Sequence, residues 1–433
     1  MQARGQTQNG LARRAPIGDW WRNDAAGAEL RPVSAVRQAS LQLSEHRLPP
    51  LTLAIVGCGP AGLAAALFLH RQGHGVTLFE RFDVPRPLGS GLMIQPTGRR
   101  VLAELGLADD LIKASARIYR LHGVAHDGRV ALDVRYDALR DADAYGLGVH
   151  RATLFGLLFD AVRGAGVAVE TGRTLIEAPL LAGGKRRLVF ADGTGSGPFD
   201  LVVDASGVRS PLAGAIPEPL VYGALWTSLD LTGAEFPADV LSQRYRRASA
   251  MAGVMPMDGG RAAFFWSLKR GAFQAWRAAP LDAWKDDVRA LWPQTEPLLA
   301  QIPSHDALTF ATYHHRMHRP AAEPGLIRIG DAWRAASPQL GQGANMALLD
   351  ALALGLAMER AKDVTEALGR AVALRRLQTE IYQALSFVFT PFYQGDSRAL
   401  PWLRDRLLPV LAATTPVRRL LAAMVAGSLG TPL

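Results

Sequence analysis

The chain has 433 residues, of which 49% are hydrophobic and 20% charged, with a formal net charge of +9 and one cysteine. This length predicts two or three domains with a sizeable core, and a single cysteine excludes an internal disulfide and a thiolate metal site. The composition is that of an ordinary globular protein, and the single cysteine fits a reducing, cytoplasmic compartment. No apolar run reaches membrane-spanning length, and no basic stripe with interleaved aromatic residues predicts nucleic-acid binding.

Residues 1–50 lack a periodic apolar pattern and are rich in arginine and in small or polar residues. A transit peptide shares this bias, whereas a secretory signal needs an apolar segment that is absent here. We expect a disordered extension, or one that results from a start codon placed too far upstream. Pro49-Pro50 is the expected hinge into the folded chain.

A strand, a glycine turn and a helix follow this extension. Leu51–Val56 is a short apolar run with β-branched members, typical of a strand buried in a parallel sheet. Gly57, Gly59 and Gly62 form the pattern G-x-G-x-x-G, which permits a tight turn, approach of the backbone to a pyrophosphate and close helix–strand packing. Ala61–Gln72 predicts a helix whose N-terminus aims free N–H groups at the phosphates.

A second strand and an acidic residue complete this unit. Gly73 and Gly75 end the helix, Val76–Phe79 forms the strand, and Glu80 follows as an acceptor for a ribose hydroxyl. This order favours binding of the adenosine diphosphate half of a dinucleotide over a nucleotide-free glycine turn. The unit alone leaves the identity of the dinucleotide open.

Helices and short strands alternate over the next part of the chain. Residues 81–90 read as a loop, and Pro96 begins a helix that ends at Gly106. Residues 118–149 alternate in polarity and predict two or three antiparallel strands. The segment His150-Arg151-Ala152-Thr153-Leu154 then opens a helix that continues to Gly164. Further strands are predicted at Val167–Glu170, Arg187–Phe190 and Phe199–Val203.

A larger antiparallel sheet is predicted beyond Leu201–Ser210, which is itself a strand that runs into a glycine turn. Its strands are expected at Tyr222–Thr227, Ser242–Arg247, Met251–Met255 and Ala262–Leu268, and helices near Leu281–Trp292 and Glu296–Gln301. These strands carry Tyr222, Trp226, Tyr245, Phe264, Phe265 and Trp266, and an aromatic-lined sheet favours a flat, largely apolar ligand.

A final strand leads to a second glycine turn. Leu326–Ile329 is followed by Asp331, at the carboxyl end of a strand where doubly wound sheets bind ligands. The turn Gly341-Gln342-Gly343 feeds an almost wholly apolar helix from Ala344, which must be buried. Backbone N–H groups of Gly341–Asn345 favour partial negative charge, such as develops on a reduced isoalloxazine ring. From Val364 to the end the pattern is helical.

Three motifs in this order resemble the FAD-dependent aromatic hydroxylase family: GCGPAG with Glu80, the helix start at His150–Leu154, and GDAWRAASPQLGQGANMALLDA. These are single-component, group A flavoprotein monooxygenases with the para-hydroxybenzoate hydroxylase fold. The resemblance runs from about Leu51 to the end of the chain and is thin between Leu212 and Pro320. It implies an α/β fold with a Rossmann-like FAD-binding domain containing a parallel sheet (51–212 and 320–363), an antiparallel-sheet substrate domain (213–319) and C-terminal helices (364–433).

The resemblance also implies roles for single residues. Asp331 would bind the ribityl chain, Arg151 would sit near the FAD phosphates or adenine, and Pro338 would lie near the flavin face where oxygen reacts. The candidate cofactor-binding residues are Gly57, Gly59, Gly62, Glu80, Arg81, Arg151, Asp331, Gly341, Gln342, Gly343, Ala344 and Asn345. No general base stands out, and the weak catalytic candidates are Pro338, His314, His315 and Tyr222.

Two positions depart from the family pattern. Ser206-Gly207 stands where Asp-Gly is usual in the middle motif, with Asp204 displaced earlier, which leaves the mode of NAD(P)H binding open. Trp333 stands where a small residue followed by histidine is common, and would narrow or wall the flavin cavity.

The implied reaction is hydroxylation of an aromatic or other electron-rich apolar small molecule through a flavin C4a-hydroperoxide, with dioxygen and with NAD(P)H as reductant. A flavin-dependent halogenase is the closest alternative. It would need a suitably placed lysine and the signature W-x-W-x-I-P; there is no lysine between Leu63 and Asp110, and no such signature. An isoprenoid-type flavin reductase or dehydrogenase is a further alternative.

A non-enzymatic, membrane-associated flavoprotein subunit is the alternative from another class. Residues 401–421 could form basic amphipathic helices that rest on a membrane. We favour the interpretation that these helices pack over the cofactor domain with arginine facing water. The net positive charge is attributed to a host that favours arginine codons rather than to an acidic membrane surface.

Overall fold

The computed structural model describes residues 48–86, 90–141, 144–430 and 433, and most of the expectation for residues 1–50 therefore lies outside it. The strands are β1 (Thr52–Val56), β2 (Gly75–Phe79), β3 (Gly91–Ile94), β4 (Ala116–Ile118), β5 (Arg120–Ala125), β6 (Val130–Arg135), β7 (Gly146–His150), β8 (Ala168–Glu170), β9 (Leu175–Glu177), β10 (Arg186–Phe190), β11 (Gly195–Phe199), β12 (Leu201–Asp204), β13 (Tyr222–Asp230), β14 (Val240–Arg246), β15 (Ala250–Pro256), β16 (Arg261–Lys269), β17 (Thr309–Ala311), β18 (Arg316–Met317), β19 (Ala322–Glu323), β20 (Leu326–Arg328) and β21 (Arg334–Ala335). The α-helices are α1 (Pro60–Arg71), α2 (Pro96–Glu104), α3 (Ala108–Lys113), α4 (Arg151–Gly164), α5 (Phe273–Ala278), α6 (Leu281–Leu291), α7 (Glu296–Leu299), α8 (Gly343–Met358), α9 (Val364–Tyr393), α10 (Ala399–Ala412) and α11 (Thr415–Ala426).

A six-stranded sheet in the order β19-β20-β12-β1-β2-β8 forms the centre of the cofactor half. All its neighbours are parallel except β19 and β20. Strand β1 is buried on both faces, since Leu53 and Ile55 join one core cluster and Ala54 and Val56 another. This two-sided burial explains the unbroken apolar run of β1 in the sequence.

Helices α1 and α8 pack together on one face of this sheet. Their contact is close because Gly355 on α8 faces Phe68, whose Cβ would lie 3.0 Å from a Cβ at position 355. Gln72 reinforces the contact by donating from its amide to the Gly355 carbonyl, 2.9 Å away. Helix α8 is buried around almost its whole circumference, as its continuous apolar sequence predicts.

A seven-stranded sheet in the order β17-β13-β16-β15-β14-β5-β6 forms the second layer. The four strands predicted between Tyr222 and Leu268 are confirmed, and they pair antiparallel. Strands β5 and β6 form the predicted hairpin and join the same sheet, with β5 parallel to β14. Strand β7 lies instead at the centre of a three-stranded sheet, where it pairs antiparallel with β3 on one side and with β4 on the other.

The aromatic residues of the large sheet divide between its two faces. Phe264 and Trp266 lie on the face covered by α5–α7, where both rings contact Trp284 edge-on. Phe265 and Tyr245 point to the opposite face and join a different core cluster, with Trp226 packed against it. Phe264 and Trp266 therefore do not line the same face as Phe265 and Tyr245, because side chains alternate along a strand.

The C-terminal region is helical from Val364 onward, as predicted. Among the described residues, no single helix combines the length and apolarity needed to cross a membrane. Helices α10 and α11 meet those criteria only as a pair, across a bend of 111°.

The three-stranded sheet packs tightly on the large sheet at Gly148, and this contact generates a first prediction. A Cβ at position 148 would lie 2.0 Å from the carbonyl oxygen of Pro256. Since the position of a Cβ is fixed by its own backbone and the obstructing oxygen is itself a backbone atom, Gly148→Ala must displace a strand, and we expect it to lower the free energy of unfolding by about 2 kcal/mol or more.

A matched control lies in α4. A Cβ at Gly156 meets nothing within 4 Å, so Gly156→Ala removes a helix-destabilising glycine and should raise stability by up to about 1 kcal/mol. Thermal midpoints of the two variants should shift in opposite directions. Equal midpoints would contradict the close sheet–sheet contact.

Candidate active site

The first glycine turn is shaped by backbone contacts at two of its three glycines. Gly57 has φ +103°, and a Cβ there would lie 2.6 Å from the carbonyl oxygen of Ala205. A Cβ at Gly62 would lie 2.0 Å from the Gly57 carbonyl oxygen, whereas one at Gly59 meets nothing within 4 Å. The turn therefore packs against its neighbours on one side and presents open space beside the N-terminus of α1 on the other.

Glu80 is held next to this turn by hydrogen bonds. Its buried carboxylate accepts hydrogen bonds from the backbone N–H of Cys58 at 2.9 Å and of Phe82 at 3.2 Å. Burial and the Glu80 charge raise the pKa of the Cys58 thiol to about 12, so this thiol stays protonated and unreactive. Arg81, the next candidate, lies over the ring of Phe82.

Arg151 and Asp331 interact electrostatically, and each opposes the pKa shift of the other. Arg151 is the first residue of α4, whose N-terminus is capped by the His150 side chain. Both side chains are open to solvent. Surrounding protein nevertheless lowers the pKa of Arg151, and Asp331 and Tyr313 oppose that shift. The pKa of Asp331 is raised mainly by desolvation, and the positive charge of Arg151 opposes this shift.

A buried ion cluster holds the turn that carries Asp331. The carboxylate of Asp350, on α8, accepts from the Gly330 backbone N–H at 2.9 Å and from Arg375 on α9 at 2.7 Å. Arg334 is the second buried cation of the cluster, 3.3 Å from Asp350 and stacked 3.5 Å over the ring of Trp333. Burial lowers the pKa of Arg334 to about 10, against the opposing effect of Asp350. The sequence alone did not suggest this cluster.

The second glycine turn presents backbone more than side chains. Asn345 is completely buried. Its side-chain oxygen accepts a hydrogen bond from the backbone N–H of Gln95, and its side-chain nitrogen donates to the carbonyls of Met93 and Gly341. Gln342 donates to the Val425 carbonyl of α11. A Cβ at Gly343 meets nothing within 4 Å. The free N–H groups at the start of α8 therefore border open space, while the amide side chains hold the turn in place.

The weak catalytic candidates occupy different surroundings. His314 is buried, with Nδ1 2.8 Å from the Pro217 carbonyl. His315 packs edge-on against Phe387, and burial lowers its pKa. Pro338 is exposed at the start of the 3₁₀ turn Pro338–Leu340, just before Gly341.

Tyr222 is committed to a hydrogen bond at one end of β13. Its hydroxyl donates to Asp396 at 2.6 Å, and Lys269 forms an ion pair with the same carboxylate oxygen at 2.8 Å. Burial first, and then this carboxylate, raise the pKa of Tyr222. A phenol in these surroundings is a hydrogen-bond donor and not a general base.

Tyr313 joins the large sheet to the cleft, although sequence analysis did not single it out. Its hydroxyl accepts from Trp226 Nε1 at 2.8 Å, and Trp226 lies 4.7 Å from the ring of Phe265. Burial raises the pKa of Tyr313 to about 12, against the opposing effect of Arg151. Tyr313 is therefore hydrogen-bonded to the aromatic face of the sheet and interacts electrostatically with Arg151.

The departure in the middle motif also has a structural account. Asp204 is completely buried and accepts from the hydroxyls of Ser206 and Ser210 and from the Ser206 backbone N–H. Its carboxylate is used to shape the turn after β12. Ser206 is therefore held by Asp204 at the position where the family usually has aspartate.

Comparison with known proteins agrees with this arrangement. A family model described as FAD binding domain matches residues 51–363, most of the chain. The chain belongs to the FAD-dependent aromatic hydroxylase family. It is an FAD-dependent oxidoreductase of the monooxygenase type, and the predicted α/β fold with its parallel sheet, antiparallel sheet and C-terminal helices is confirmed.

Individual relatives are distant in sequence. A kynurenine 3-monooxygenase of Xanthomonas campestris is 28% identical over 360 residues, 76% of each chain. A 3-amino-4-hydroxybenzoate 2-monooxygenase of Streptomyces cremeus is 28% identical over 324 residues, 70% of this chain and 77% of its own. HpxO of Klebsiella pneumoniae, solved with FAD and uric acid, superposes with a TM-score of 0.74 at 20% identity, covering 88% of this chain and 97% of HpxO.

The Asp350 cluster generates a second prediction for this family member. Asp350→Ala leaves two buried guanidinium groups without their carboxylate and frees the Gly330 N–H, so we expect the free energy of unfolding to fall by about 3–5 kcal/mol. Asp350→Asn retains an oxygen acceptor for Gly330 and should lie between wild type and alanine. Chemical denaturation of the three proteins checks this order, and an alanine variant as stable as wild type would contradict it.

A third prediction concerns the pH dependence of the protein without FAD. Because the folded-state pKa of Asp331 is raised above its ordinary value, its contribution to stability is present at low pH and is lost as pH rises through that pKa. Asp331→Asn removes the ionisable group, so the apoprotein variant should melt at a higher temperature than wild type at pH 7. The difference should shrink as pH approaches about 4, and a lower melting temperature at pH 7 would contradict the sign.

Proposed function

We propose that the protein hydroxylates an aromatic or other electron-rich apolar small molecule, with FAD as cofactor, dioxygen as oxidant and NAD(P)H as reductant. The observation that carries the proposal is the hydrogen bond between Trp226, on the apolar face of the large sheet, and Tyr313, whose hydroxyl also interacts electrostatically with Arg151. We take this pair to lie between the charged groups at the parallel sheet and the apolar face of the large sheet. A cofactor in the cleft and a flat substrate on the sheet would meet beside Tyr313.

The residues of the cleft fit FAD. The open space at Gly59, beside the N-terminus of α1, suits the pyrophosphate, with Glu80 beside the turn for the adenosine ribose. Arg151 would pair with the phosphates, and Asp331 would accept from the ribityl hydroxyls. Gly343, with Ala344, offers N–H groups and no side-chain obstruction to the pyrimidine edge of a flavin.

The inner face of the large sheet suits an apolar, flat molecule. It carries Phe265, Met251 and Met255, and the Phe265 ring lies where a Cβ on Gly253 would be, only 1.9 Å from it. Glycine at 253 therefore lets this ring lie flat on the strand. Such a surface excludes water and orients an aromatic ring by its faces and edges.

Tyr313 is proposed to orient the substrate. Its hydroxyl accepts from Trp226, and among the described residues no acceptor is recorded for its own proton. Because its pKa is raised, the phenol stays protonated and can donate that proton in a hydrogen bond to a substrate oxygen. When bound, reduced FAD supplies the activated oxygen that is transferred.

The names of relatives support a small aromatic substrate. They act, by name, on kynurenine and on 3-amino-4-hydroxybenzoate, and HpxO was solved with uric acid. NAD(P)H is proposed as reductant from the family resemblance. The Asp204–Ser206 arrangement points to a nicotinamide contact different from the usual Asp-Gly pair.

Our fourth prediction tests oxygen transfer directly. FAD-loaded enzyme with NADH or NADPH and a panel of phenols and fused heteroaromatics, under ¹⁸O₂, should incorporate one labelled oxygen atom into the product, as mass spectrometry would show. A halogenase or a flavin reductase would leave the product unlabelled. An unlabelled product from a substrate that accelerates NAD(P)H oxidation would refute hydroxylation.

The variant Tyr313→Phe sharpens this experiment. It removes the donor proposed to orient the substrate while preserving the ring, so more of the NAD(P)H consumed should yield hydrogen peroxide and less should yield product. Bound FAD, measured by absorbance, should be unchanged. An unchanged ratio of product to NAD(P)H would exclude Tyr313 from orienting the substrate.

A further inference from the structure

Helix α10 presents an apolar face to solvent. Its outward side chains recur at spacings of three to four residues and so lie along one side of the helix. They are Trp402, Leu403, Arg406, Leu407, Val410 and Leu411. Their five apolar members are between 42% and 68% exposed. We call these six residues the α10 face.

The inward side of α10 carries charge instead. Arg404 is completely buried, donates to Asp405 at 2.7 Å and to the Phe392 carbonyl at 2.8 Å, and stacks on the rings of Tyr245 and Tyr393. These contacts set the rotation of the helix about its axis. The amphipathic pattern is thus reversed relative to that of an ordinary surface helix.

The surroundings of the α10 face are strongly basic. Arg398, Arg406, Arg418 and Arg419 are exposed, and none forms an ion pair with an acidic side chain in the part of the chain that the structure describes. Between residues 397 and 430 the only acidic residue is Asp405, which is paired with Arg404. The apolar face therefore belongs to a basic part of the chain whose exposed arginines have no acidic partner among the described residues.

We propose that the α10 face docks on an anionic lipid surface. Tryptophan and leucine can enter the boundary between headgroups and acyl chains, and the neighbouring arginines can pair with lipid phosphates. Arg406 lies 4.3 Å over the Trp402 ring, so its guanidinium can reach the headgroups while the ring faces the apolar layer. This inference does not depend on the proposed substrate or reaction.

The helices rest on the lipid surface and do not cross it. Although α10 and α11 together have the length and composition of a broken span, Leu421, Met424 and Val425 of α11 belong to the core cluster beneath the large sheet. Insertion would pull these residues out of the core. Docking of the α10 face leaves that core intact.

Two other occupants fit the charge less well. A symmetric contact between two copies would bring the same arginines together, and residues 397–430 offer only Asp405, which is already paired with Arg404. Residues 1–47 carry seven arginines and four acidic residues, so this segment is itself positive. An anionic surface supplies the charge that both of these lack.

Vesicle flotation with the full-length, FAD-loaded protein tests the proposal, and is our fifth prediction. Vesicles of phosphatidylcholine and phosphatidylglycerol at about 7:3 should carry the protein, whereas pure phosphatidylcholine should carry little. Binding should fall as salt is raised. The double variant Arg418→Gln/Arg419→Gln should lower the partition coefficient by about thirtyfold, from the expected contribution of two arginines near an anionic surface.

A matched pair of variants separates docking from general surface effects. Leu407→Glu lies on the α10 face, and Leu180→Glu alters a leucine of similar exposure after β9. We expect Leu407→Glu to abolish flotation and Leu180→Glu to float like wild type, with FAD content and melting temperature confirming that both fold. Equal flotation of the two variants, or no flotation of wild type, would overturn the proposal. It would also be overturned if light scattering showed that Leu407→Glu converts a dimer to a monomer.

Discussion

The carboxylate of Asp350 is the interaction on which the candidate site depends. It receives the Gly330 backbone N–H and two buried arginines, one beside the turn and one on α9. One group therefore sets the turn of Asp331 relative to two helices. Burying a carboxylate is costly, and here three partners offset the cost together. The turn can hold Asp331 toward an open cleft because its backbone is anchored from behind.

At the first glycine turn, close backbone contact rather than an ion cluster holds the turn in place. Strand β1 lies between β12 and β2, so the turns after β1 and β12 emerge side by side at the carboxyl ends of parallel strands. Gly57 approaches Ala205 so closely that any side chain at position 57 would collide with the turn after β12. The glycine pattern therefore serves contact between two turns as much as contact with a ligand.

Local sequence patterns were sufficient to predict the strand–turn–helix–strand unit at the start of the fold. They could not predict contacts between residues that are distant in the sequence. The bounds predicted for β1, α1 and β2 agree with the structure within about one residue, because glycine, apolar runs and the acidic residue mark them locally. Asp350 is the one acidic residue of the apolar helix α8, and its partners Gly330 and Arg375 are distant in the sequence, so no local pattern indicates its role. Tyr313 was missed for the same reason: its contact with Trp226 forms only when the sheet does. Likewise, no local pattern states that β5 pairs with β14.

The electrostatics of the cleft follow from leaving it open. Arg151 and Asp331 carry opposite charges. Desolvation by the surrounding protein lowers the pKa of Arg151 and raises that of Asp331, and both shifts favour the neutral form. The attraction between the two charges opposes these shifts but does not cancel them. A bound molecule with anionic phosphates and hydroxyl donors would supply each group with the partner it lacks. The fold thus holds two solvent-exposed groups of opposite charge in place for a ligand.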